Sequence, residues 1–217
     1  MVPNGAKRHD SSTRGEYAPR VRPVQKRAIQ TVDLILDTAA DLLDEVGVDA
    51  FNTNLLAERA EVAVRSVYRY YPNKLAVIVA LYERHEKAWA PHFDEAMRGL
   101  ADPERNALEV WEACIDDYVE YLEEDVGWAI RRVIQGLPEL RDIDRRDNDG
   151  RARKIASALR AHGAQVNGRR LEAVGRLLIE TTSAAVDDAW SRYGRVPSSV
   201  ARELKLMHRS YLARYVE

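Results

Sequence analysis

The sequence predicts an all-α protein, on three observations. Apolar residues recur at three- and four-residue spacing from about Gln25 to the C-terminus. No segment alternates apolar and polar residues for long enough to suggest a half-buried strand, and no internal repeat is present. Eleven glycines and eight prolines in 217 residues are too few for a loop-rich β fold, and most punctuate the periodic stretches.

Residues 1–20 are polar, small and charged, and are expected to form a disordered basic arm. Ile35, Ala39, Leu42, Leu43 and Val46 then repeat at helical spacing, with Gly47 where a left-handed C-cap belongs. A short loop, 48–52, follows. Asn52 or Thr53 can cap a second helix from about Asn54 to Ala60, whose apolar residues are Leu55, Leu56 and Ala57. The turn Glu61-Val62-Ala63 leads into a short helix through about Tyr70. Pro72 stops it, and Asn73 is placed to cap a long helix reaching about Trp89. Further helices are expected at roughly 103–124, 127–136, 150–162, 169–193 and 197–215. Gly99, Gly127, Gly136 with Pro138, Gly163, Gly168 and Gly194 with Pro197 separate them. The run from Asp142 to Arg153, dense in alternating charge, reads as a solvated connector or a helix start.

Charge narrows the function. A net charge of −2 argues against a bulk nucleic-acid binder, but its distribution is uneven. Through residue 27, Lys7, Arg8, Arg14, Arg20, Arg22, Lys26 and Arg27 face only Asp10 and Glu16. Residues 28–58 carry acidic groups alone, and 59–74 turn basic again with Arg59, Arg65, Arg69 and Lys74 against Glu61. A local basic footprint on a nearly neutral protein is what specific DNA recognition needs. Cys114 is the lone cysteine, so no intramolecular disulfide forms and no zinc spacing exists. There is no signal-peptide pattern at the N-terminus, and the longest strongly apolar run, Leu75 to Tyr82, is too short to cross a bilayer. A cytoplasmic protein with no membrane contact is expected.

Residues 54–71 carry the functional signal: helix, tight turn, and a second helix that is short, polar and aromatic. Val62, Val67 and Tyr71 supply a buried face, while Arg65, Ser66, Tyr68, Arg69 and Tyr70 supply an outer face of donors for phosphates and base edges. A helical hairpin within an ordinary bundle would show the same coarse pattern.

The strings Ile35-Leu36-Asp37-Thr38-Ala39-Ala40, Gly47, Thr53 through Ala60, and Val67-Tyr68-Arg69-Tyr70-Tyr71-Pro72-Asn73-Lys74 resemble the tetracycline-repressor (TetR) family without a gap. The aromatic run before Pro-Asn-Lys is the most specific part. The resemblance covers the N-terminal module only. It implies an N-terminal three-helix helix-turn-helix DNA-binding domain, 21–90 with its connecting fourth helix, after the arm 1–20. A C-terminal helical ligand-binding and dimerisation domain, 91–217, would follow. It further implies phosphate contacts from Thr53, Ser66, Tyr68, Tyr70 and Lys74, with Val64, Arg65 and Arg69 on the face that meets bases. Either arginine can grip guanine O6 and N7, or merely a phosphate. Three departures stand out. Glu61 occupies a turn position where the family usually has glycine. Ala63 replaces the usual Ser/Thr cap, at a cost of about 1 kcal/mol. Arg65 stands where a small residue is common.

In the C-terminal half, Val200, Leu204, Met207, Tyr211 and Tyr215 form one stripe, and Leu171, Val174, Leu178, Thr181 and Ala185 another. Read as a two-fold four-helix interface they make a homodimer, and a double-stranded operator that is nearly palindromic. Read otherwise, both stripes are intramolecular core. Trp89, Phe93, Trp111, Cys114, Ile115, Tyr118, Tyr121, Trp128 and Thr182 are candidates to line a pocket for a small hydrophobic or aromatic effector, or are plain core. An effector there would favour a state in which the helix from Asn73 tilts and the reading heads separate, a coupling of about 1–3 kcal/mol.

Catalysis is not expected. The carboxylates Asp116, Asp117, Glu120, Glu123 and Glu124 crowd one helix without the Glu-x-x-His pairing of di-metal bundles, and no phosphate loop or nucleophile elbow occurs. No catalytic residue, metal or cofactor is assigned. The remaining rival is a helical ligand- or protein-binding module that has lost DNA binding, for which Glu61 and Ala63 speak.

Overall fold

The computed structural model describes residues 17–21, 23–124 and 127–216, without the side chains at 124, 127, 138 and 139. The arm residues Lys7, Arg8, Arg14 and Arg22, and with them the expected disorder of residues 1–16, therefore lie outside the described residues. Nine helices and no strand occur among the described residues: α1 Lys26–Ala50, α2 Thr53–Arg59, α3 Val64–Tyr70, α4 Lys74–Ala101, α5 Ala107–Glu124, α6 Gly127–Gly136, α7 Pro138–His162, α8 Gly168–Tyr193 and α9 Ser198–Leu212. No described helix is long and apolar enough to cross a membrane.

Two compact units form. One is the chain to Arg84 with Ala129–Ile143, and the other is His85–Trp128 with the chain from Asp144. In the first, α1 buries Ile35, Leu36, Ala39, Leu42 and Leu43, and Phe51, Leu56 and Val67 are fully buried as well. Every residue of α4 from Ala76 to Tyr82 is buried, as expected of a helix apolar on all sides. Gly47 takes φ 71°, the positive value expected, but its ψ of 173° is extended. The chain kinks there and makes one more helical turn, closed by the Phe51 N–H on the Gly47 carbonyl at 3.1 Å. That turn replaces the expected loop.

In the second unit, α5, α7, α8 and α9 share a core with the later part of α4. At Gly175, α8 packs tightly against α7: a Cβ there would collide with the Ala152 carbonyl oxygen. Outside the core, Arg209 grips Glu112 in two bonds of 2.6 and 2.8 Å, and Lys205 reaches Asp116 at 2.7 Å, tying α9 to α5.

Two helices run further than expected. Helix α4 continues past Trp89 to Ala101 with Pro91 inside it. Pro91 and Lys87, whose carbonyl loses its partner, are both exposed, so water takes the bond. The charged run 142–153 is neither connector nor helix start but the middle of α7, which buries Leu140, Ile143 and Asn148.

Candidate nucleic-acid interface and binding pocket

Helix α2 begins at an Asn52 cap, whose Oδ1 accepts the Asn54 and Leu55 N–H groups at 3.1 and 2.9 Å. It ends in a Schellman turn. The Val62 N–H bonds the Ala57 carbonyl and the Glu61 N–H bonds the Glu58 carbonyl, at 3.0 and 3.1 Å. Such a turn places its C′ residue in the left-handed region, and Glu61 is there at φ 53°. A side chain costs about 1–2 kcal/mol in that conformation. Helix α3 then starts at Ala63 with no side-chain cap bond. Its opening turn is closed by the backbone alone, Ser66 N–H to Ala63 C=O at 2.7 Å.

On α3, Val67 is buried and fixes the helix on its scaffold, whereas Val64, Arg65, Tyr68 and Arg69 are exposed and Ser66 is half-buried. Tyr70 departs from the expected outer face: it is 4% exposed and its ring is part of the core, as is neighbouring Tyr71. Both cannot be avoided by the core, because consecutive residues at the helix end straddle its inner edge. Burial also pushes the Tyr71 hydroxyl up to about 12.

Thr53 is buried and its hydroxyl donates to Tyr68 Oη at 2.9 Å. A phenol that accepts this bond keeps its own proton for an acceptor outside. Thr53 thus orients Tyr68. Lys74 lies at the start of α4 beside Asn73, whose Oδ1 caps the helix through the Ala76 N–H at 2.9 Å. Its ammonium donates to the Val48 and Phe51 carbonyls at 3.1 and 3.3 Å, tying α4 to the turn after Gly47. The arm contributes a contact that sequence reasoning missed. The Arg20 N–H bonds the Tyr70 carbonyl at 2.8 Å, and its guanidinium reaches the Tyr68 carbonyl at 3.3 Å. Both satisfy carbonyls that the end of α3 leaves unpaired. Arg59 grips Glu45 in two bonds of 2.8 and 3.1 Å, which holds the Glu45 carboxyl below the usual carboxylate range.

The second unit contains a small, partly open cavity of about 40 Å³. Four helices line it at helical spacing: Trp89 and Phe93 from α4; Trp111, Cys114, Ile115 and Tyr118 from α5; Asn148 and Arg151 from α7; Ile179, Thr182 and Ser183 from α8. Most of the expected pocket residues therefore meet. Tyr121 and Trp128 do not line the cavity. Tyr121 lies behind Trp89, ring centroids 5.2 Å apart, and donates to the His85 carbonyl at 2.8 Å. Trp128 stacks on Trp190 at 4.4 Å in a separate cluster with Val186, Ala189 and Val196. Asn148, Arg151, Ile179 and Ser183 were missed, the first two because their segment looked like solvated surface. Burial pushes the Cys114 thiol up to about 12, so it remains a neutral wall group. No group of three or more metal-ligating side chains occurs among the described residues.

Of the expected interface residues, Leu178 and Leu204 turn inward and are buried in their own chain's core. The α9 stripe that packs inward is Leu204, His208 and Leu212. Ala185, Val200 and Tyr211 are half-buried, and Met207 of α9 is exposed, as is Leu177 of α8.

Residues 35–81 match the family described as "Bacterial regulatory proteins, tetR family". The HTH-type transcriptional repressor KstR of Rhodococcus jostii (strain RHA1) is 33% identical over 92 residues, which are 42% of this chain and 40% of KstR. The match thus spans well under half of that relative. Among solved structures, a TetR-family transcriptional regulator from Streptomyces coelicolor superposes with a TM-score of 0.64 at 25% identity, over 86% of this chain and 99% of its own. SmeT, the repressor of the Stenotrophomonas maltophilia multidrug efflux pump SmeDEF, gives 0.67 at 22% identity, over 86% and 90%; it is also known in complex with triclosan. With its helix-turn-helix at 53–70, its aromatic run into α4 and its helical second unit, the chain is similar to the tetR family of bacterial regulatory proteins, by the family match over residues 35–81 and by fold over most of its length.

Proposed function

We propose that this protein is a ligand-responsive transcriptional repressor of the cytoplasm. It binds a near-palindromic operator as a homodimer and is released by a small hydrophobic or aromatic effector. The observation that carries the DNA-binding half is the outer face of α3. Arg65, Tyr68 and Arg69 are exposed together on a helix held from beneath by Val67, at its start by the α2 turn and at its end by Arg20. Donors on a rigid short helix are what reading the major groove requires. Val64 adds an apolar contact for a thymine methyl. Thr53 acts through Tyr68, Ser66 and Tyr68 take phosphates, and Lys74 serves first as a tie to the 48–51 turn. Tyr70 supports the helix from within.

The dimer forms through the outer faces of α8 and α9, where Leu177 and Met207 are exposed and Ala185, Val200 and Tyr211 are half-covered. The cavity lined by Trp89, Phe93 and Trp111 is the effector site, and triclosan in SmeT is a precedent for a small molecule in this fold. Arg65→Ala tests the reading head. It costs about 1–3 kcal/mol on the selected operator and much less on random DNA; equal losses on both would reject base readout. One observation favours the second reading, a binding module without DNA recognition: Glu61 places a carboxylate in the strained turn ahead of α3. Absence of salt-dependent DNA binding would give that reading precedence.

A further inference from the structure

We propose that the molecule this cavity is built to take is an amphipathic aromatic acid, with its ring system against Trp89, Phe93 and Trp111 and its carboxylate on the Arg151 guanidinium. The inference rests on the effector-site reading of the cavity and specifies the class of effector.

The walls are aromatic and aliphatic on α4 and α5, and polar groups gather on α7 and α8, so the cavity has an apolar body and a polar end. At that end Arg151 is the one charged group of the lining, and no carboxylate lines the cavity among the described residues. The guanidinium is fixed from behind. It is paired with Glu86 of α4, which does not line the cavity, and it donates to Asn148 Oδ1 at 2.7 Å. The Arg151 and Glu86 side chains are only 17% and 22% exposed. A wholly apolar occupant would strip the remaining water from this ion pair and return nothing, which is costly for a buried charge. A carboxylate instead gains a charge-assisted bond from a guanidinium already held in place. Ser183 of the lining can add a hydroxyl donor, whereas Thr182 spends its proton on the Leu178 carbonyl at 2.8 Å.

The arrangement has a regulatory consequence. A carboxylate on Arg151 competes with Glu86 for the same cation, and Glu86 belongs to α4. Occupancy therefore loosens a tie between α4 and α7, and it does so only for ligands that carry the acid.

The test uses two probes of one shape, 2-naphthoate and naphthalene-2-carboxamide, titrated into the full chain and followed by tryptophan quenching and calorimetry at pH 7.5. The acid is expected to bind at least about tenfold more tightly than the amide. Arg151→Gln should remove that preference, so that acid and amide bind alike, and Glu86→Gln should tighten acid binding by removing the carboxylate that competes for the guanidinium. Because Arg151→Gln strands Glu86, the Glu86→Gln/Arg151→Gln double variant, which buries no lone charge, should also bind both probes alike. Amide binding equal to or tighter than acid binding overturns the acid class and leaves the effector site standing. If neither probe binds, both the class and the effector-site reading fall. DNA-binding assays are unaffected by either result.

Discussion

His208 makes a quantitative test of the core of the second unit. It is 2% exposed. Trp111 Nε1–H donates to its Nδ1 at 3.0 Å, and its Nε2 lies 2.8 Å from Thr181 Oγ1. An indole N–H can only donate, so Nδ1 carries no proton and the tautomer is Nε2–H. That proton goes to Thr181 Oγ1, whose own hydroxyl donates to the Leu177 carbonyl at 2.6 Å. The chain from α5 through α9 to α8 is satisfied only while the imidazole is neutral, and burial holds its pKa down to about 4, below the ordinary 6.5. The folded pKa is depressed, so the unfolded chain takes up a proton below pH 6.5 that the folded chain refuses. Stability is therefore lost as pH falls from about 6.5 towards 4. The loss is about 2 kcal/mol at pH 5 and about 3 kcal/mol at its limit. Urea unfolding at fixed protein concentration, at pH 7.5 and pH 5.0, measures it against His208→Gln, which can still accept from Trp111 but does not titrate. The wild type should lose about 2 kcal/mol more than the variant over that range. Equal losses, or an imidazole resonance titrating above pH 6, would refute the reasoning.

Three further substitutions probe backbone, packing and charge. Glu61→Gly removes a side chain from the left-handed turn at φ 53°; after the extra chain freedom of glycine is subtracted, the melting midpoint should rise by the equivalent of about 0.5–1 kcal/mol. An unchanged or lower midpoint would mean that the strain is not stored there. Gly175→Ala drives a Cβ into the Ala152 carbonyl oxygen, and should destabilise by about 1–3 kcal/mol in chemical denaturation; wild-type stability would show that α7 and α8 yield freely. Lys74→Met abandons the Val48 and Phe51 carbonyls and should cost about 1–2 kcal/mol without DNA present. A variant as stable as the wild type, with only its salt slope on DNA reduced, would return Lys74 to a purely phosphate-binding role.

Legibility in the sequence followed the range of the interaction. The caps at Asn52 and Asn73, the positive φ at Gly47 and the strain at Glu61 are fixed by neighbours within a few residues, and a reader of the chain finds them. The helix-turn-helix was readable for the same reason. Longer-range features were not. Tyr70 looks like an outward donor until the core closes over it, and Lys74 looks free until the Val48 and Phe51 carbonyls are brought beside it. The two C-terminal stripes looked alike, but Leu204 and Leu178 pack inward while Met207 stays out. Periodicity reports that a face is apolar and not what covers it. Asn148 and Arg151 were hidden for a different reason. Hydropathy reads a charged run as surface, whereas a buried arginine is betrayed only by its partner, Glu86, which is 65 residues away in the chain.

The central claim is that α3 reads DNA in a dimer. Selecting bound fragments from the source genome and titrating the winner by anisotropy at two salt concentrations tests it most directly. The account predicts enrichment of a near-palindromic site, with affinity falling by about 10³-fold or more between 50 and 200 mM salt if each dimer makes six or more phosphate contacts. No enrichment over random DNA, or affinity indifferent to salt, would contradict it.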